Sequence, residues 1–203
     1  MKILITGTSS GIGKELVEQL SNRYSHDIIP ITRDDLELSD INAIRQYQLP
    51  TVDMLINCAG SDQGGKIEFA DQTQDSIVNI LTTNLLASIL LSHKALGSNP
   101  ECKIVNVTST NNKQYWPNNL VYSLSKKSLS DFGNMLQVDH PTLKYLEIRL
   151  GLTKTNFNHN RYIGHEDRFN DVYSNKHLIP SDAVNRILPV LFDDAIKFIE
   201  VSP

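Results

Sequence analysis

The stretch that decides the fold is TGTSSGIGKE, residues 6–15. It follows the apolar run KILIT (2–6) and leads into a segment with helical periodicity from about Ile12 to Leu20. A glycine-rich turn between a strand and a helix commonly holds phosphate, because the N–H groups and the dipole at a helix N-terminus both favour an anion. The phosphate of a nucleoside triphosphate and that of a dinucleotide would imply different enzymes.

The spacing of the glycines argues against a triphosphate. Such a loop has four residues between its glycines and ends in Lys-Ser or Lys-Thr. Here five residues separate Gly7 from Gly13, and Lys14 is followed by Glu15. A dinucleotide-binding turn needs glycine at the sharp turn, at the pyrophosphate and at the helix–strand contact, and Gly7, Gly11 and Gly13 can fill these roles. Because any strand-to-helix turn favours glycine, a purely structural interpretation stays open on this stretch alone.

Short β-rich runs alternate with helical patterns along the rest of the chain. The predicted strands are 2–6, 27–32, 52–59, 102–109, 143–150 and 196–201, and the predicted helices are 12–20, 40–47, 73–96, 121–138 and 181–192, the last capped by Ser181. This alternation is typical of a parallel sheet with crossover helices. We therefore predict an α/β fold, a doubly wound Rossmann-type parallel sheet with helices on both faces, in a single domain over residues 1–203.

The polar segment 153–180 interrupts this alternation. It is too long for an ordinary connection between two elements. We predict either a lid over the substrate or a partly disordered loop.

The composition of the 203 residues excludes several classes of protein. The net charge is −4 and there is no block of Lys and Arg, so we expect no nucleic-acid partner. The apolar run Ile3–Ile5 is too short for a signal peptide or a membrane span, so we expect a cytoplasmic protein that does not contact a membrane. Cys58 and Cys102 fall near opposite edges of the predicted sheet, which favours two buried free thiols over a disulfide.

A second group of chemically active residues lies in VTSTNNKQYWPNNLVYSLSK, which ends at Lys126. It contains Ser109, Tyr122 and Lys126. Tyr122 and Lys126 are four residues apart at the start of a predicted helix, so their side chains share one face. Taken singly, each residue has a bland alternative: a helix-capping Ser, a tyrosine at the edge of the core and a solvated lysine.

Together these pieces resemble the short-chain dehydrogenase/reductase family, and the resemblance runs from Lys2 to about Thr155. The matching motifs are Thr6-Gly7-x-x-x-Gly11-x-Gly13, Asn57-Cys58-Ala59-Gly60, Asn84, Ser109 thirteen residues before Tyr122, and Tyr122-x-x-x-Lys126. Three positions depart from the usual pattern: Cys58 replaces the second Asn of Asn-Asn-Ala-Gly, Leu150 replaces the Pro before Gly151, and Glu37 takes the place of the usual Asp near the adenine. The chain also stops before the family's usual C-terminal Asp-Gly-Gly stretch, which bears on the last-strand contacts and one mode of subunit pairing.

The resemblance implies an NAD(P)-dependent oxidoreductase that transfers a hydride between nicotinamide C4 and a carbonyl or alcohol substrate. Tyr122 would be the general acid/base, which requires the pKa of a tyrosine, near 10, to fall by about 3 units. Lys126 would assist and bind the nicotinamide ribose, Ser109 would hold the substrate oxygen, and Asn84 would position a water. The cofactor-binding residues implied by the resemblance are Gly7, Ser9, Ser10, Gly11, Ile12, Gly13, Arg33, Glu37, Asn57, Ala59, Gly60, Tyr122, Lys126, Gly151, Thr153 and Thr155.

The end of the second predicted strand, ITRDD, bears on the choice of dinucleotide. An acidic residue there would accept bonds from the ribose hydroxyls, whereas an arginine can clamp a 2′-phosphate. Thr32 offers no carboxylate and Arg33 follows it, so we predict NADP(H) in preference to NAD(H). The alternative is a solvated Arg33, with Asp34 bound to the ribose.

The substrate-side segments 111–119 and 153–180 are rich in Asn, Gln, His and Arg, which favours a polar small-molecule substrate. His159, His165, Glu166 and His177 have no spacing typical of metal ligands, so no metal is expected. The apolar helix 85–96 suggests burial on both sides and a homodimer or homotetramer, although a helix wedged between sheet and lid would look the same.

Two other classes of protein remain as alternatives. The first is a dinucleotide-binding redox sensor without turnover, which the presence of Ser109, Tyr122 and Lys126 argues against. The second is an epimerase or dehydratase of a nucleotide sugar, which would need a larger C-terminal substrate domain than the residues after Gly151 provide.

Overall fold

The computed structural model describes residues 1–62, 67–113, 116–157, 171–174 and 176–203. Within them, six parallel strands form one sheet in the order β2-β1-β3-β4-β5-β6. The strands are β1 (Lys2–Thr6), β2 (Asp27–Ile31), β3 (Met54–Asn57), β4 (Lys103–Ser109), β5 (Tyr145–Leu150) and β6 (Phe198–Val201). The predicted doubly wound parallel sheet is therefore confirmed.

Helices cover both faces of this sheet. Helices α1 (Gly11–Arg23) and α6 (Pro180–Leu191) pack together on one face, and α2 (Ile41–Gln46), α4 (Ala87–Ser98) and α5 (Leu120–Asp139) lie on the other. Because both faces are covered, the inner strands β3 and β4 are buried at every position and lose the alternation of half-exposed strands. Pro30 lies in β2, at the sheet edge, where a residue without an N–H is tolerated.

Helix α6 begins one residue earlier than predicted. Its N-cap is Ile179, and Pro180 is its first residue. A proline suits this position because its fixed φ is helical and its missing N–H would have no partner there. The predicted cap at Ser181 is therefore wrong, since Ser181 lies inside the first turn.

The predicted long helix 73–96 has an interruption in its middle. Helix α3 (Gln74–Leu81) passes into a π-helical turn (Thr82–Leu86) and then into α4. Single π-helical turns inside α-helices occur frequently at functional sites. This turn contains Asn84, one of the predicted site residues.

The run Gln74–Ser98 is also, among the described residues, the one helix long and apolar enough to cross a membrane, with a mean hydropathy of 1.4 over its best window. Core helices of water-soluble proteins pass the same test. Ile80, Ala87, Leu91 and Ala95 from this run are buried inside the protein. Its composition therefore carries no argument for a membrane.

The strand order reverses between β1 and β3, because the chain moves from β1 outward to β2 and then returns to the other side of β1. In open parallel sheets, ligands bind in the crevice outside the carboxyl ends of the strands at such a reversal. The glycine-rich turn follows β1, and residues 58–60 follow β3 directly. The topology thus places two of the predicted motifs on opposite walls of one crevice.

Candidate active site

The glycine-rich turn is shaped by close approaches that a side chain would block. Gly7 and Gly11 have φ of 74° and 59°, in the left-handed region that favours glycine. A Cβ on Gly7 would lie 2.6 Å from the Cα of Ala59, and a Cβ on Gly13 would collide with the carbonyl group of Gly7. The turn is thereby pressed against the end of β3, and the N-terminus of α1 faces the crevice.

The opposite wall is held in place by Thr6. The N–H groups of Cys58 and Ala59 both donate to the Thr6 hydroxyl, each at 3.1 Å. These two residues were predicted to continue the strand, but β3 ends at Asn57 because their N–H groups bond to Thr6 instead. In the sequence Thr6 stands only at the start of a motif, and its contacts with residues about fifty positions away are what give it a role.

Asn57 ties this wall to its neighbours. Its amide nitrogen donates to the amide oxygen of Asn106 at 2.9 Å and to the Ser92 hydroxyl at 3.2 Å. These two hydrogen bonds of the Asn57 side chain therefore fix the end of β3 against β4 and α4.

Two buried oxygen atoms near this crevice have no hydrogen-bond partner among the described residues. They are the hydroxyl of Thr8, in the glycine-rich turn, and the side-chain oxygen of Asn57. The first turn of α1 carries no acidic residue, and the Ser10 side chain does not cap it. Glycines that permit close backbone approach, buried polar atoms without partners and an uncapped helix N-terminus fit a dinucleotide with its pyrophosphate at α1.

Asn84 is fully buried, and its side chain is engaged within the protein. Its amide nitrogen donates to the Ser61 carbonyl (2.8 Å) and to the Ser125 hydroxyl (3.0 Å), while its oxygen accepts from the Ser61 N–H (2.7 Å). Ser125 in turn donates to the carbonyl of Tyr122 at 2.7 Å. The Asn84 side chain therefore links residue 61, just after the β3 wall, to the helix that carries Tyr122 and Lys126.

Ser125 is a residue that the sequence analysis missed. It lies next to Lys126 inside the Tyr-x-x-x-Lys motif, and it is fully buried. A serine at a buried position of a helix needs a partner for its hydroxyl, which is the signal that would have drawn attention to it.

Tyr122 and Lys126 lie one turn apart on α5, and both are buried. The Tyr122 ring is 5.5 Å from the ring of Phe157, centroid to centroid. Lys126 Nζ donates to the carbonyl of Val107 at 3.0 Å and lies 3.3 Å from the position that a Cβ on Gly60 would occupy. Lys126 is thus brought to the wall of the crevice formed by residues 57–60.

Burial changes the acid–base properties of two groups at this wall. It lowers the pKa of Lys126 to about 8, an effect partly opposed by Cys58. It raises the pKa of the half-buried Cys58 thiol to about 11, an effect partly opposed by the Lys126 charge. An ammonium group that is costly to keep charged stabilises a nearby anion strongly, because little water screens it.

Ser109 ends β4 and caps the 3₁₀ turn Thr110–Asn112, where its hydroxyl oxygen accepts from the N–H of Asn111 at 3.2 Å. The bland interpretation of Ser109 as a cap therefore describes one of its contacts. A hydroxyl that accepts this bond can still donate its hydrogen to a substrate oxygen.

Arg33 and Glu37, both predicted at the adenosine end of the cofactor, contact each other. Arg33 Nε lies 3.5 Å from a carboxylate oxygen of Glu37, and the Arg33 side chain is 77% exposed. The other Glu37 oxygen accepts from the N–H and the hydroxyl of Ser39 at 2.9 and 2.8 Å. The carboxylate of Glu37 is therefore used within the turn that follows β2.

Of the other predicted cofactor residues, one lies in this crevice, and the others have contacts or burial of their own. Thr155 is in the crevice, because its side chain is 3.2 Å from where a Cβ on Gly11 would be. Thr153 donates to the carbonyl of Gly151 at 3.1 Å and pairs with Leu178 in an isolated bridge. Ile12 is a buried core residue of α1, and Ser9 is exposed in the turn.

Some predicted features lie outside the described residues. These include half of the segment 153–180 and three of the four residues considered as metal ligands, His159, His165 and Glu166. The fourth, His177, contacts the Tyr173 ring at 5.0 Å. In the described part of the chain, no group of three or more His, Cys, Asp or Glu side chains could hold a metal ion.

The sequence of this chain is similar to a known protein family and to a named dehydrogenase. The family model described as short chain dehydrogenase matches residues 34–165. The NADP-dependent 3-hydroxy acid dehydrogenase of Schizosaccharomyces pombe is 27% identical over 220 aligned residues, covering 92% of this chain and 85% of that protein.

Two solved structures share the fold. The closed form of serine dehydrogenase complexed with NADP⁺ has a TM-score of 0.83 at 20% identity, covering 100% of this chain and 95% of that one. 4-Hydroxyisoleucine dehydrogenase complexed with NADH has a TM-score of 0.85 at 20% identity, covering 99% of this chain and 96% of that one. At this level of identity, the two structures confirm the predicted Rossmann-type fold.

Proposed function

The chain belongs to the short-chain dehydrogenase family and is an oxidoreductase, and we propose that it transfers a hydride between NADP(H) and a polar alcohol or carbonyl compound with Tyr122 as general acid/base. The observation that carries this proposal is the position of Lys126. Its buried ammonium group lies one helical turn from Tyr122 and against Gly60, at the wall of the crevice whose other wall is the glycine-rich turn. This position supports the proposal, because it brings Lys126, and with it the neighbouring Tyr122, to the crevice in which we propose that the dinucleotide binds.

The proposed chemistry divides the work among three side chains. Tyr122 donates its phenolic proton to the carbonyl oxygen as negative charge builds there, and takes a proton in the reverse direction. Lys126 stabilises the resulting phenolate, and the Ser109 hydroxyl donates a hydrogen bond to the same substrate oxygen. A nicotinamide bound in the crevice would supply or accept the hydride. Asn84 and Ser125 hold the helix that carries this pair.

The cofactor is held, in this proposal, by the two walls of the crevice. The backbone of the glycine-rich turn and the N-terminus of α1 bind the pyrophosphate, and residues 57–60 line the path toward the nicotinamide. Arg33 binds the 2′-phosphate, which supports NADP(H) over NAD(H). The Schizosaccharomyces pombe relative is NADP-dependent, in agreement with this preference.

The substrate class we propose is a polar hydroxy acid or its oxo form. Support comes from the polar residues of the segments 111–119 and 153–180, and from the relative that acts on 3-hydroxy acids. The same proposal includes a lid formed by part of 153–180.

We also propose a homodimer that forms through the outer surface of α3 and α5, which pack against each other. Four exposed apolar residues of α5 fall within about 60° of its circumference at 100° per residue: Leu120, Leu124, Met135 and Val138. Val78 of α3 is exposed as well. Exposed apolar surface of this kind is typical of an interaction site. The proposed location is the cytoplasm, where the two free thiols Cys58 and Cys102 stay reduced.

Turnover of a defined panel tests the function. Purified protein is given NADP⁺ with serine, 3-hydroxybutyrate and related 3-hydroxy acids, and NADPH absorbance is followed. We expect Tyr122→Phe to lower kcat at least about 100-fold, the scale of general acid–base catalysis, with NADPH binding unchanged. Tight dinucleotide binding with no turnover on any alcohol or carbonyl of the panel would instead favour the redox-sensor alternative.

A further inference from the structure

A buried carboxylate, that of Glu147, joins the two elements that carry the proposed catalytic groups. Glu147 lies in β5 and is 4% exposed. One of its oxygens accepts from the Thr108 hydroxyl at 2.6 Å, and the other accepts from the Ser130 hydroxyl at 2.8 Å. Thr108 belongs to β4 and Ser130 to α5, and both are buried. A single side chain thus bonds β4 and α5 at once.

Both contacts lie close to the active-site residues. Thr108 immediately precedes Ser109 in β4. Ser130 is four residues after Lys126 on α5, so the two side chains share one face of that helix. The two Glu147 contacts therefore lie one residue from Ser109 on β4 and one helical turn from Lys126 on α5.

The charge of Glu147 makes these bonds strong. Hydrogen bonds to a carboxylate are shorter and roughly twice as strong as bonds between neutral groups. Arg149 Nη2 lies 3.1 Å from the oxygen that also accepts from Thr108, and supplies the compensating positive charge. The Arg149 guanidinium in turn lies 4.7 Å from the centroid of the Phe198 ring in β6.

The same charges extend to the loop after Ser109. Arg149 Nη1 is 3.9 Å from Glu200 of β6, and Glu200 also pairs with Lys113. Lys113 directly follows the 3₁₀ turn that Ser109 caps. The last strand is therefore tied to the substrate side of the proposed site through Glu200.

Fold stability alone does not require a charge at residue 147. A buried ion pair can often be replaced by apolar residues of similar volume with no loss of stability. We propose that Glu147 is a positioning residue, which sets the separation between Ser109 on β4 and the Tyr122–Lys126 pair on α5. This inference rests on the proposed function for its catalytic consequence.

The test removes each contact while keeping Glu147 itself. Thr108→Val preserves the shape and leaves Arg149 bound to the affected oxygen, and Ser130→Ala preserves the helix. The matched control is Asp194→Asn, which removes the negative charge that faces another buried charge, Lys103, at the opposite end of β4 (Lys103 Nζ to Asp194 oxygen, 3.1 Å). For each variant we would measure kcat with NADP⁺ and the best 3-hydroxy acid of the panel, NADPH affinity, thermal stability and amide hydrogen exchange.

We expect each single variant to lower kcat about tenfold, because misplacement by a fraction of an ångström is costly to an aligned reaction. The kcat of the double variant should be little lower than that of either single variant, because each single change already breaks the connection from β4 to α5 through Glu147. NADPH affinity should stay within about twofold, since the cofactor crevice lies at β1 and β3. Amides 109–113 and 120–126 should exchange at least about threefold faster, and the control should show neither effect.

Unchanged kcat and unchanged exchange in both single variants would overturn the assignment. So would a loss of kcat that Asp194→Asn reproduces at equal loss of stability, because Glu147 would then only support the fold. If the wild type turns over no compound of the panel, the proposed function fails, while the exchange of residues 109–113 and 120–126 still decides whether Glu147 holds β4 and α5 together.

Discussion

The ammonium group of Lys126 donates a hydrogen bond to the carbonyl oxygen of Val107, 3.0 Å away in the interior of the protein. Lys126 is 4% exposed, and its burial lowers its pKa from 10.5 to about 8. One hydrogen bond to a neutral carbonyl therefore does not replace the hydration that the charge loses on folding. Because burying the Lys126 charge costs folding free energy, the position of Lys126 indicates a functional role.

Lys126→Met should stabilise the protein at pH 7. Below pH 8 the lysine is charged in the folded and unfolded chains alike, so folding bears the full cost of burying the charge. Between about pH 8 and pH 10.5 the unfolded state binds more protons than the folded state, and the stability of the wild type rises with pH. We expect a gain of about 3 kcal/mol for the variant at pH 7, of which about 2 kcal/mol disappears by about pH 9.5.

Urea unfolding at the two pH values measures this difference. Lys127→Met is the matched control, because Lys127 is the exposed neighbour on the same helix and should show no comparable gain. A Lys126→Met protein that is less stable than the wild type at both pH values would contradict the assignment of a costly buried charge.

Gly7→Ala should destabilise the protein and weaken cofactor binding. The new Cβ would lie 2.6 Å from the Cα of Ala59, on a residue whose φ is 74°. We expect a loss of at least about 2 kcal/mol from the backbone strain and the collision. The measurement is the free energy of unfolding, together with NADPH titration at a temperature where the variant is folded.

Gly97→Ala provides the opposite case within the same chain. Gly97 lies in α4, and apart from its chain neighbours and the nearby backbone of its own helix, no atom of the described residues lies within 4 Å of its Cβ position. Alanine is preferred to glycine in a helix, so this change should stabilise by about 0.5 kcal/mol. Equal effects of the two substitutions would show that the packing at Gly7 does not constrain the turn.

Features of the fold that depend on residues close together in the chain could be predicted from the sequence. The spacing of Gly7, Gly11 and Gly13 predicted a dinucleotide-type turn, because the pattern reflects local constraints on the backbone. The alternation of strands and helices likewise predicted the parallel sheet. The end of β3 was not predictable, because the N–H groups of Cys58 and Ala59 bond to Thr6, about fifty residues away.

The same limit applied at the candidate site. The Tyr-x-x-x-Lys motif is local and could be found from spacing, whereas Ser125 and Glu147 gain their importance from partners on other elements. The pairing of Arg33 with Glu37 lies within one turn and could have been anticipated, since opposite charges four residues apart commonly meet. The ion pair was not predicted, because Arg33 and Glu37 were each interpreted only as ligands of the cofactor.

This ion pair makes a prediction about cofactor preference. A 2′-phosphate must compete with Glu37 for Arg33, because the two side chains are 3.5 Å apart. Arg33→Ala should therefore weaken NADPH binding about tenfold, and Glu37→Gln should strengthen it about threefold, with NADH nearly unaffected in both. Nicotinamide fluorescence measures the affinities of both variants and of the wild type for NADPH and for NADH. Lys2→Ala, which removes a surface ion pair with Asp27, is the control. Parallel losses for NADPH and NADH in Arg33→Ala would remove Arg33 from phosphate recognition.

Cys58 occupies the position where the family usually has an asparagine, and its thiol should be slow to react. With a pKa raised to about 11, only a few thiolates in ten thousand are present at pH 7.5, against nearly a tenth for an ordinary cysteine. Labelling with 5,5′-dithiobis(2-nitrobenzoate) should be about 300-fold slower than for a free thiol and should accelerate about tenfold per pH unit, with Cys102→Ser used to isolate the signal. The charge of Lys126 lowers the pKa of this thiol, so Lys126→Met should slow the labelling further. Rapid labelling at pH 7.5 would contradict the buried environment, whereas slow labelling that Lys126→Met does not change would separate Cys58 from the lysine.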